Sequence, residues 1–255
     1  MIIFLRLTTF LTSCEKLTKA EKSTPHTQGC RLPKALEWQF ITDLSEPQDL
    51  RWLTLKKCRI IGLTGQTGAG KSTVAKLFAE YNIKIIDADS IVHKIYSSAS
   101  VCPKTLAAAF GNEVLNLDGT PNRPRLAKAA FSSKENLALL NSIVHPFVMY
   151  ELLLQIKSEI AKGTETVAYD APQLFESNSD LICDVIVSVV AEKSVRMQRI
   201  CSRDGIAPEA AEARINAQLN EEYFRKNSDY IIENNKGLND LTLAAETVLK
   251  QICPR

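Results

Sequence analysis

The chain lacks the residue patterns of several common kinds of functional site. Its seven cysteines are widely spaced, with no Cys-x-x-Cys pair and no histidine partner at zinc-ligand spacing, and there are only three histidines. This spacing argues against a zinc site and predicts free thiols in a reducing compartment. Lys and Arg total 31 against 29 acidic residues. No bulk basic charge therefore indicates a nucleic-acid partner.

A long apolar segment is also missing from the N-terminal region. The stretch from Met1 to Phe10 is apolar with one arginine, but it is too short to span a bilayer. We therefore predict no membrane span. The 255 residues, 45% of them hydrophobic, suffice for one α/β domain with a sizeable core and some appendages. No feature predicts an oligomer, so a monomer is the default expectation.

Residues 1–57 have no clear secondary-structure period and are interpreted as an N-terminal extension to a domain at 58–255. Six basic residues within the first 34 fit a weak organelle-targeting signal, but acidic residues at 15, 21 and 37 argue against it. The remaining interpretation is a poorly ordered tail or a start codon assigned too far upstream. We accordingly expect a cytoplasmic location, with organelle targeting as the alternative.

Residues 65–72 satisfy the spacing Gly-x-x-x-x-Gly-Lys-Ser/Thr of a nucleotide phosphate loop. An apolar run at 59–64 predicts a buried strand before the loop, and apolar residues at helical spacing predict a helix from Lys71 to Tyr81 after it. A glycine-rich turn that matches by chance is the alternative. The predicted ATP-binding residues are Gly65, Gln66, Thr67, Gly68, Ala69, Gly70, Lys71, Ser72 and Thr73. Lys71 would contact the β- and γ-phosphates, and the Ser72 hydroxyl would bind Mg²⁺.

Acidic residues follow two further predicted strands. Asp87 and Asp89 end the run at 83–86, and they are predicted to share a face near the γ-phosphate and the acceptor hydroxyl. Asp170 ends the run at 166–169 and is predicted to lie near magnesium. Structural roles fit equally well, with Asp89 capping a helix and Asp170 starting a turn.

The order of these motifs resembles that of dephospho-coenzyme A kinases, over about Arg59 to Gln251. The matching segments are Ile61 to Thr73, Ile86 to Asp89, Asp118 to Thr120 with Arg123 and Leu126, His145-Pro146, Asp170 to Glu176, Arg199, Arg203 to Gly205, Gln218, and Asp229 to Ile232 with Asn234. The resemblance implies transfer of the ATP γ-phosphoryl group to the ribose 3′-hydroxyl of dephospho-coenzyme A, giving coenzyme A and ADP. This is the last step of coenzyme A biosynthesis.

The resemblance also implies roles for individual residues. Asp89 corresponds to the general base, with Asp87 beside it on the magnesium or acceptor side. Arg199 and Arg203 correspond to catalytic residues of a lid that closes over ATP. The acceptor-binding set is Asp87, Asp89, Arg123, His145 and Pro172, and Asn234 lies near the adenine end. Capping of a helix by His145 and turn formation by Asn234 are alternatives.

Three further expectations concern local structure. Pro146 is predicted to open a helix over 147–160. Gln173 replaces a usual leucine of the family, and Phe224 stands where the family usually has a basic residue, with Arg225 one place later. The departure at Gln173 puts a local contact of the acceptor pocket in doubt. The departure at Phe224 puts in doubt the cation that the family has at that position.

The predicted fold is a three-layer α/β phosphate-loop kinase with a mainly parallel five-stranded sheet. Its strands are expected at 59–64, 83–87, 166–170, 184–190 and 229–233, with a helical acceptor-binding insertion at about 90–162 and a lid at about 194–226. Two alternatives remain at this stage. One is another small-molecule or nucleoside kinase, and the other is a non-catalytic nucleotide switch, although the chain has no Asn-Lys-x-Asp guanine-binding motif.

Overall fold

The computed structural model describes residues 58–253, so the predictions for residues 1–57 lie outside it. The strands are β1 (Arg59–Gly65), β2 (Lys84–Asp87), β3 (Thr166–Asp170), β4 (Val185–Val190) and β5 (Tyr230–Glu233). The helices are α1 (Lys71–Glu80), α2 (Ala88–Ile95), α3 (Cys102–Phe110), α4 (Arg123–Ala130), α5 (Lys134–Ala161), α6 (Lys193–Asp204), α7 (Pro208–Asn216), α8 (Glu221–Asn227) and α9 (Leu238–Ile252). Short 3₁₀ turns lie at Asn112–Val114 and Ser179–Ile182.

The five strands form one sheet in the order β2-β3-β1-β4-β5, and every pairing is parallel. Parallel neighbours need crossover connections, which the intervening helices supply. The predicted five-stranded α/β fold is therefore confirmed, and each strand boundary lies within one residue of its predicted position. The carboxyl ends of β1, β2 and β3 meet at one edge of the sheet because the strands run in the same direction.

The chain divides into two compact units. The sheet unit comprises the described residues of Lys57–Ala88 and Glu159–Arg255, and the helical unit comprises Asp89–Ser158. In the sheet unit, α1 and α9 share one buried cluster with the strands, through Phe78, Leu249 and residues such as Ile61 and Ile232. Strands of a covered parallel sheet are apolar throughout, which explains why β1 and β4 carried no alternating pattern.

Helix α5 differs from the prediction. It begins at Lys134, where the Ser133 hydroxyl accepts the N–H of Asn136 at 3.1 Å, and it continues through Pro146. The expectation that Pro146 opens a helix is therefore wrong. An internal proline removes one backbone hydrogen bond at a cost of about 3 kcal/mol. Buried apolar residues on both sides of it, including Ile143 and Leu152, offset that cost.

Among the described residues, α5 is the one helix long and apolar enough to cross a membrane by length and composition. The core helices of soluble proteins meet the same criterion, so this is weak support for a span. The helix also carries Glu151, which is 7% exposed. Lys94 donates to the Glu151 carboxylate at 2.6 Å, and Gln155 donates to it at 2.9 Å. Burying a carboxylate is costly unless it is hydrogen-bonded, so these two donors stabilise Glu151 within the helical unit.

Candidate active site

The phosphate loop connects the buried strand β1 to the first turn of α1. Gly70 caps the helix with a φ of 99°, and α1 begins at Lys71. The first N–H groups of a helix have no intrahelical acceptor, so those of Lys71 and Ser72 point out of its N-terminus. The strand and helix expected around the motif are both present, although the helix ends at Glu80 rather than Tyr81. This arrangement forms an anion-binding nest.

Two glycines of the loop pack closely against other parts of the sheet unit, with no room for a Cβ atom. Gly68 has a φ of +77°, and a Cβ there would lie 2.9 Å from the Arg196 carbonyl oxygen and 3.0 Å from the Ile200 side chain. Gly70 has a φ of +99°, and its Cβ would run into Nδ2 of Asn234. Glycine is therefore required here by packing behind the loop, in addition to any approach of phosphate.

We expect Gly68→Ala to weaken Mg-ATP binding by about tenfold or more, equivalent to 1.4 kcal/mol. The added methyl group meets the backbone of Arg196, which cannot turn aside as a side chain would. The matched control is Gly205→Ala, because Gly205 has a φ of +63° and nothing within 4 Å of its Cβ position. That variant carries the φ penalty alone, about 1 kcal/mol. Calorimetric ATP titrations that gave equal affinity for both variants would contradict the argument.

Side chains from α6 and from the end of β5 hold the carbonyl side of the loop. Asn234 donates Nδ2–H to the Ala69 carbonyl at 2.7 Å. Arg199 donates to both oxygens of Asn234, at 3.0 and 3.2 Å, and at 3.5 Å to the Gly68 carbonyl. Asn234 is only 6% exposed, so both polar ends of its amide are used inside the protein. Its assignment to the adenine end stays a prediction.

The three arginines of α6 have different environments despite their helical spacing. Arg196 is buried, donates Nε–H to the Ala191 carbonyl at 3.0 Å, and has a pKa lowered by burial. Its Nη1 has no hydrogen-bond partner within residues 58–253. Arg203 is exposed and bonds to Asp204 at 2.7 Å, and this bond lowers the Asp204 pKa. The structure thus brings Arg199 to the loop and pairs Arg203 with a neighbouring carboxylate.

The lysine of the loop pairs with an acidic strand terminus. Lys71 Nζ forms an ion pair with Asp170, which is 8% exposed at the end of β3. Asp87, at the end of β2, lies opposite Asp170 in the strand register. Paired positions on neighbouring strands share a face. The structure therefore brings Lys71, Asp87 and Asp170 to one edge, as the strand pattern predicted.

The oxygen donors at this edge fit a magnesium ion. Ser72 presents an exposed hydroxyl in the first turn of α1, and Asp170 presents a carboxylate. No group of three or more His, Cys, Asp or Glu side chains with metal-ligand geometry occurs in the described part of the chain. Magnesium is commonly bound by one or two protein oxygens together with phosphate and water, so a small donor set is what such a site requires.

Three more of the predicted site residues lie in the helical unit. Asp89 is exposed in the first turn of α2, two residues after Asp87. Arg123 is the first residue of α4 and is exposed. Burial raises the pKa of the Tyr96 phenol to about 12, and the positive charge of Arg123 opposes part of that rise. His145 is half-buried in the middle of α5, so it does not cap the start of that helix.

Partial burial lowers the pKa of His145 from its ordinary 6.5. Between 6.5 and the lower folded-state value, the unfolded chain binds more protons, so the free energy of unfolding rises with pH. We expect stability to fall as the pH drops through 6.5 and to fall less in His145→Gln. Thermal midpoints at pH 7.5 and 5.5 test this, with the exposed His93→Gln as the control. A midpoint difference unchanged by His145→Gln would contradict it.

The two departures near the site have local structural explanations. Phe224 is fully buried against Val190 and Phe175, with the two rings 5.8 Å apart. Arg225 instead bonds to Glu221 and Glu233, each at 2.7 Å. The residue after Asp170 and Ala171 is Pro172, whose carbonyl accepts the Thr64 hydroxyl at 3.5 Å. Gln173 is exposed, so the substitution leaves the core unaffected.

Sequence patterns gave no contact for Gln218, yet it reaches the phosphate loop. The Thr67 N–H donates to Gln218 Oε1 at 2.6 Å across 151 positions of sequence. Residues so far apart share no periodic signal, and only the resemblance had singled out Gln218. Arg199 and Asn234 thus contact the loop through its carbonyls, and Gln218 contacts it through an N–H.

Comparisons with known proteins identify the family of this chain. The family model of CoaE, dephospho-CoA kinase, matches residues 59–240. A dephospho-CoA kinase of Corynebacterium efficiens is 38% identical over 195 residues, which cover 76% of this chain and 98% of that protein. Dephospho-CoA kinase CAB5 of Saccharomyces cerevisiae is 37% identical over 200 residues, covering 76% of this chain and 83% of that protein.

Among solved structures, TT1252 from Thermus thermophilus has a TM-score of 0.65 and 30% sequence identity, covering 76% of this chain and 98% of that one. The span of the family model includes the phosphate loop, the acidic strand ends and Asn234. The sequence comparison and the fold thus lead to the same assignment. The chain belongs to the dephospho-CoA kinase family.

Proposed function

We propose that this chain transfers the γ-phosphoryl group of ATP to the ribose 3′-hydroxyl of dephospho-coenzyme A. The observation that carries the proposal is the meeting of Lys71, Asp87 and Asp170 beside the phosphate loop. This edge combines a nest of N–H groups with a cation and two carboxylates. Such a set serves phosphoryl transfer, in which positioning and charge stabilisation supply most of the acceleration.

The loop residues and Lys71 would bind the phosphates of ATP. The N–H groups at the start of α1 would donate hydrogen bonds to the phosphates. Lys71 would leave its carboxylate partner, Asp170, and contact phosphoryl oxygens instead. Ser72 and Asp170 would hold Mg²⁺. When bound, this ion neutralises charge on the phosphoryl oxygens. Arg199 would act through the loop, because its contacts in the structure are with Asn234 and Gly68.

The transfer itself needs a proton acceptor on the ribose side. As the 3′-oxygen forms its bond to the γ-phosphorus, the bond between that phosphorus and the bridging oxygen breaks and ADP leaves. Asp89 would take the hydroxyl proton. Its position two residues beyond the end of β2 follows from the Asp-Ala-Asp sequence and the start of α2. Asp87 would lie beside it on the magnesium or acceptor side.

Arg123 and His145 would contribute to acceptor binding, with Pro172 at the end of β3. We propose that the segment at about 90–162 binds dephospho-coenzyme A and that the segment at about 194–226 is a lid. Arg203 would act from that lid after releasing Asp204. We further propose a cytoplasmic, monomeric enzyme. Organelle targeting would depend on residues 1–57, which lie outside the described part of the chain.

The test is ADP production from Mg-ATP by the purified full-length chain, with and without dephospho-coenzyme A, and identification of the product by mass. We expect an acceptor-dependent rate and a product heavier by one phosphoryl group. A rate that appears only with another alcohol, such as a nucleoside, would overturn the acceptor assignment. Slow hydrolysis that is the same with every acceptor would favour a nucleotide switch.

A further inference from the structure

The side chain of Gln218 occupies the N–H side of the phosphate loop. It lies in the turn between α7 and α8, half-buried, and its Oε1 accepts the Thr67 N–H at 2.6 Å. Two neighbouring N–H groups of the loop donate to main-chain oxygens instead. Gln66 donates to the Val189 carbonyl at 3.2 Å, and Ala69 donates to the Gln66 carbonyl at 3.0 Å. Thr67 is thus distinctive in donating to a side chain from a distant segment.

Gln218 contacts the kind of loop group that binds phosphate. Consecutive N–H groups of a phosphate loop converge on the oxygens of the bound anion, so a side chain held by one of them would lie at the margin of that anion. Asn234 and Arg199 contact the loop through its carbonyls instead. Of these three side chains, Gln218 is therefore the one bonded to a group of the phosphate-binding kind.

The chemistry of a carboxamide gives this contact a second consequence. A glutamine side chain has one oxygen acceptor and one NH₂ donor, and fixing the oxygen fixes where the donor points. Oε1 is held by Thr67, and within residues 58–253 no protein acceptor is engaged by Nε2. A glutamate would hold Thr67 equally well but would bring a negative charge to the phosphates. A neutral residue with a spare donor suits this position.

We propose that Gln218 is a nucleotide-positioning residue that holds Thr67 through Oε1 and donates through Nε2 to a phosphoryl oxygen of bound ATP. The proposal rests on the kinase function above and adds a specific ligand to the loop. It also gives the α7–α8 turn a direct part in nucleotide binding. The turn would then be ordered by the same phosphates that it helps to hold.

Gln218→Glu separates this role from simple support of the loop. The carboxylate still accepts the Thr67 N–H, but it cannot donate and it repels phosphate. We expect at least a tenfold rise in the dissociation constant for Mg-ATP and a similar fall in kcat/KM for ATP. Gln218→Met, which removes both hydrogen bonds without adding charge, is expected to have a smaller effect. Gln198→Glu, at an exposed position of α6, controls for the change in net charge.

Binding is measured by calorimetry with ATP and with ADP, so the result does not depend on which acceptor the enzyme uses. Loss of affinity for ATP alone assigns the contact to the γ-phosphoryl group, and equal loss for both nucleotides assigns it to the α- or β-phosphoryl group, which they share. Thermal midpoints establish that each variant is folded. A folded Gln218→Glu variant within twofold of wild type in ATP affinity and kcat/KM would overturn the proposal, and would leave Gln218 as a support of Thr67 only. If the wild-type chain shows no turnover with dephospho-coenzyme A, that result would instead count against the acceptor assignment.

Discussion

Lys71→Met is expected to reduce phosphoryl transfer by about 10²–10³-fold, the usual loss when one preorganised stabiliser of transition-state charge is removed. The variant should also be less stable, because it leaves Asp170 buried without its lysine. Breaking a fully buried ion pair costs about 3–5 kcal/mol. The side chains here retain 16% and 11% exposure, so we expect a loss of about 2 kcal/mol by the same principle.

Lys71→Met/Asp170→Asn separates the two effects. Neutralising Asp170 removes the buried charge that has lost its lysine, so most of the lost stability should return while activity stays as low as in Lys71→Met. Lys76→Met is the control, since Lys76 is an exposed lysine on the same helix α1. Urea unfolding and the ADP assay provide the two measurements. A double variant as unstable as the single one would show that the lost stability does not come from the buried charge of Asp170.

The sheet and the loop were predictable because their signals are local. A strand buried on both faces is a short apolar run, and the phosphate loop follows such a run at fixed spacing. The carboxyl ends of parallel strands share an edge, so the approach of Asp87 to Asp170 also followed from sequence. In each case a few adjacent residues determine the structure.

Sequence patterns were insufficient where burial or contacts between distant segments determine the local structure. Pro146 suits the first turn of a helix locally, but the apolar residues around it pack well enough to keep α5 continuous. Arg196, Arg199 and Arg203 lie three and four positions apart on α6, yet the structure buries the first, bonds the second to Asn234 and leaves the third exposed. Spacing along one helix carries no information about what packs against it.

Contacts between distant segments explain the remaining gap. Arg199 and Asn234 are 35 positions apart, and Thr67 and Gln218 are 151 apart. No periodicity connects such pairs, so the pattern of residues located the nest without revealing what holds it. The carbonyl-side support by Arg199 and Asn234 and the N–H contact of Gln218 are properties of the folded chain.

Asp89→Asn is expected to lower kcat by about 10²–10⁴-fold, the usual contribution of general base catalysis, while ATP affinity stays close to that of wild type. Asparagine preserves the size of the side chain but cannot accept the hydroxyl proton. Asp240→Asn is a matched control, because Asp89 and Asp240 both lie in the first turn of a helix. Both variants lose a favourable interaction with the helix dipole, about 0.3–1 kcal/mol, but only one should lose turnover.

Acceptor-independent ATP hydrolysis distinguishes the two largest effects. In the proposed mechanism Lys71 acts on the phosphates, so its removal should reduce transfer to the ribose hydroxyl and hydrolysis by water alike. Asp89 acts on the acceptor hydroxyl in that mechanism, so Asp89→Asn should lose acceptor-dependent turnover and keep the slow hydrolysis. Wild-type turnover in Asp89→Asn would remove Asp89 from the base role. Equal loss of both reactions would move it to the phosphate or magnesium side, beside Asp87.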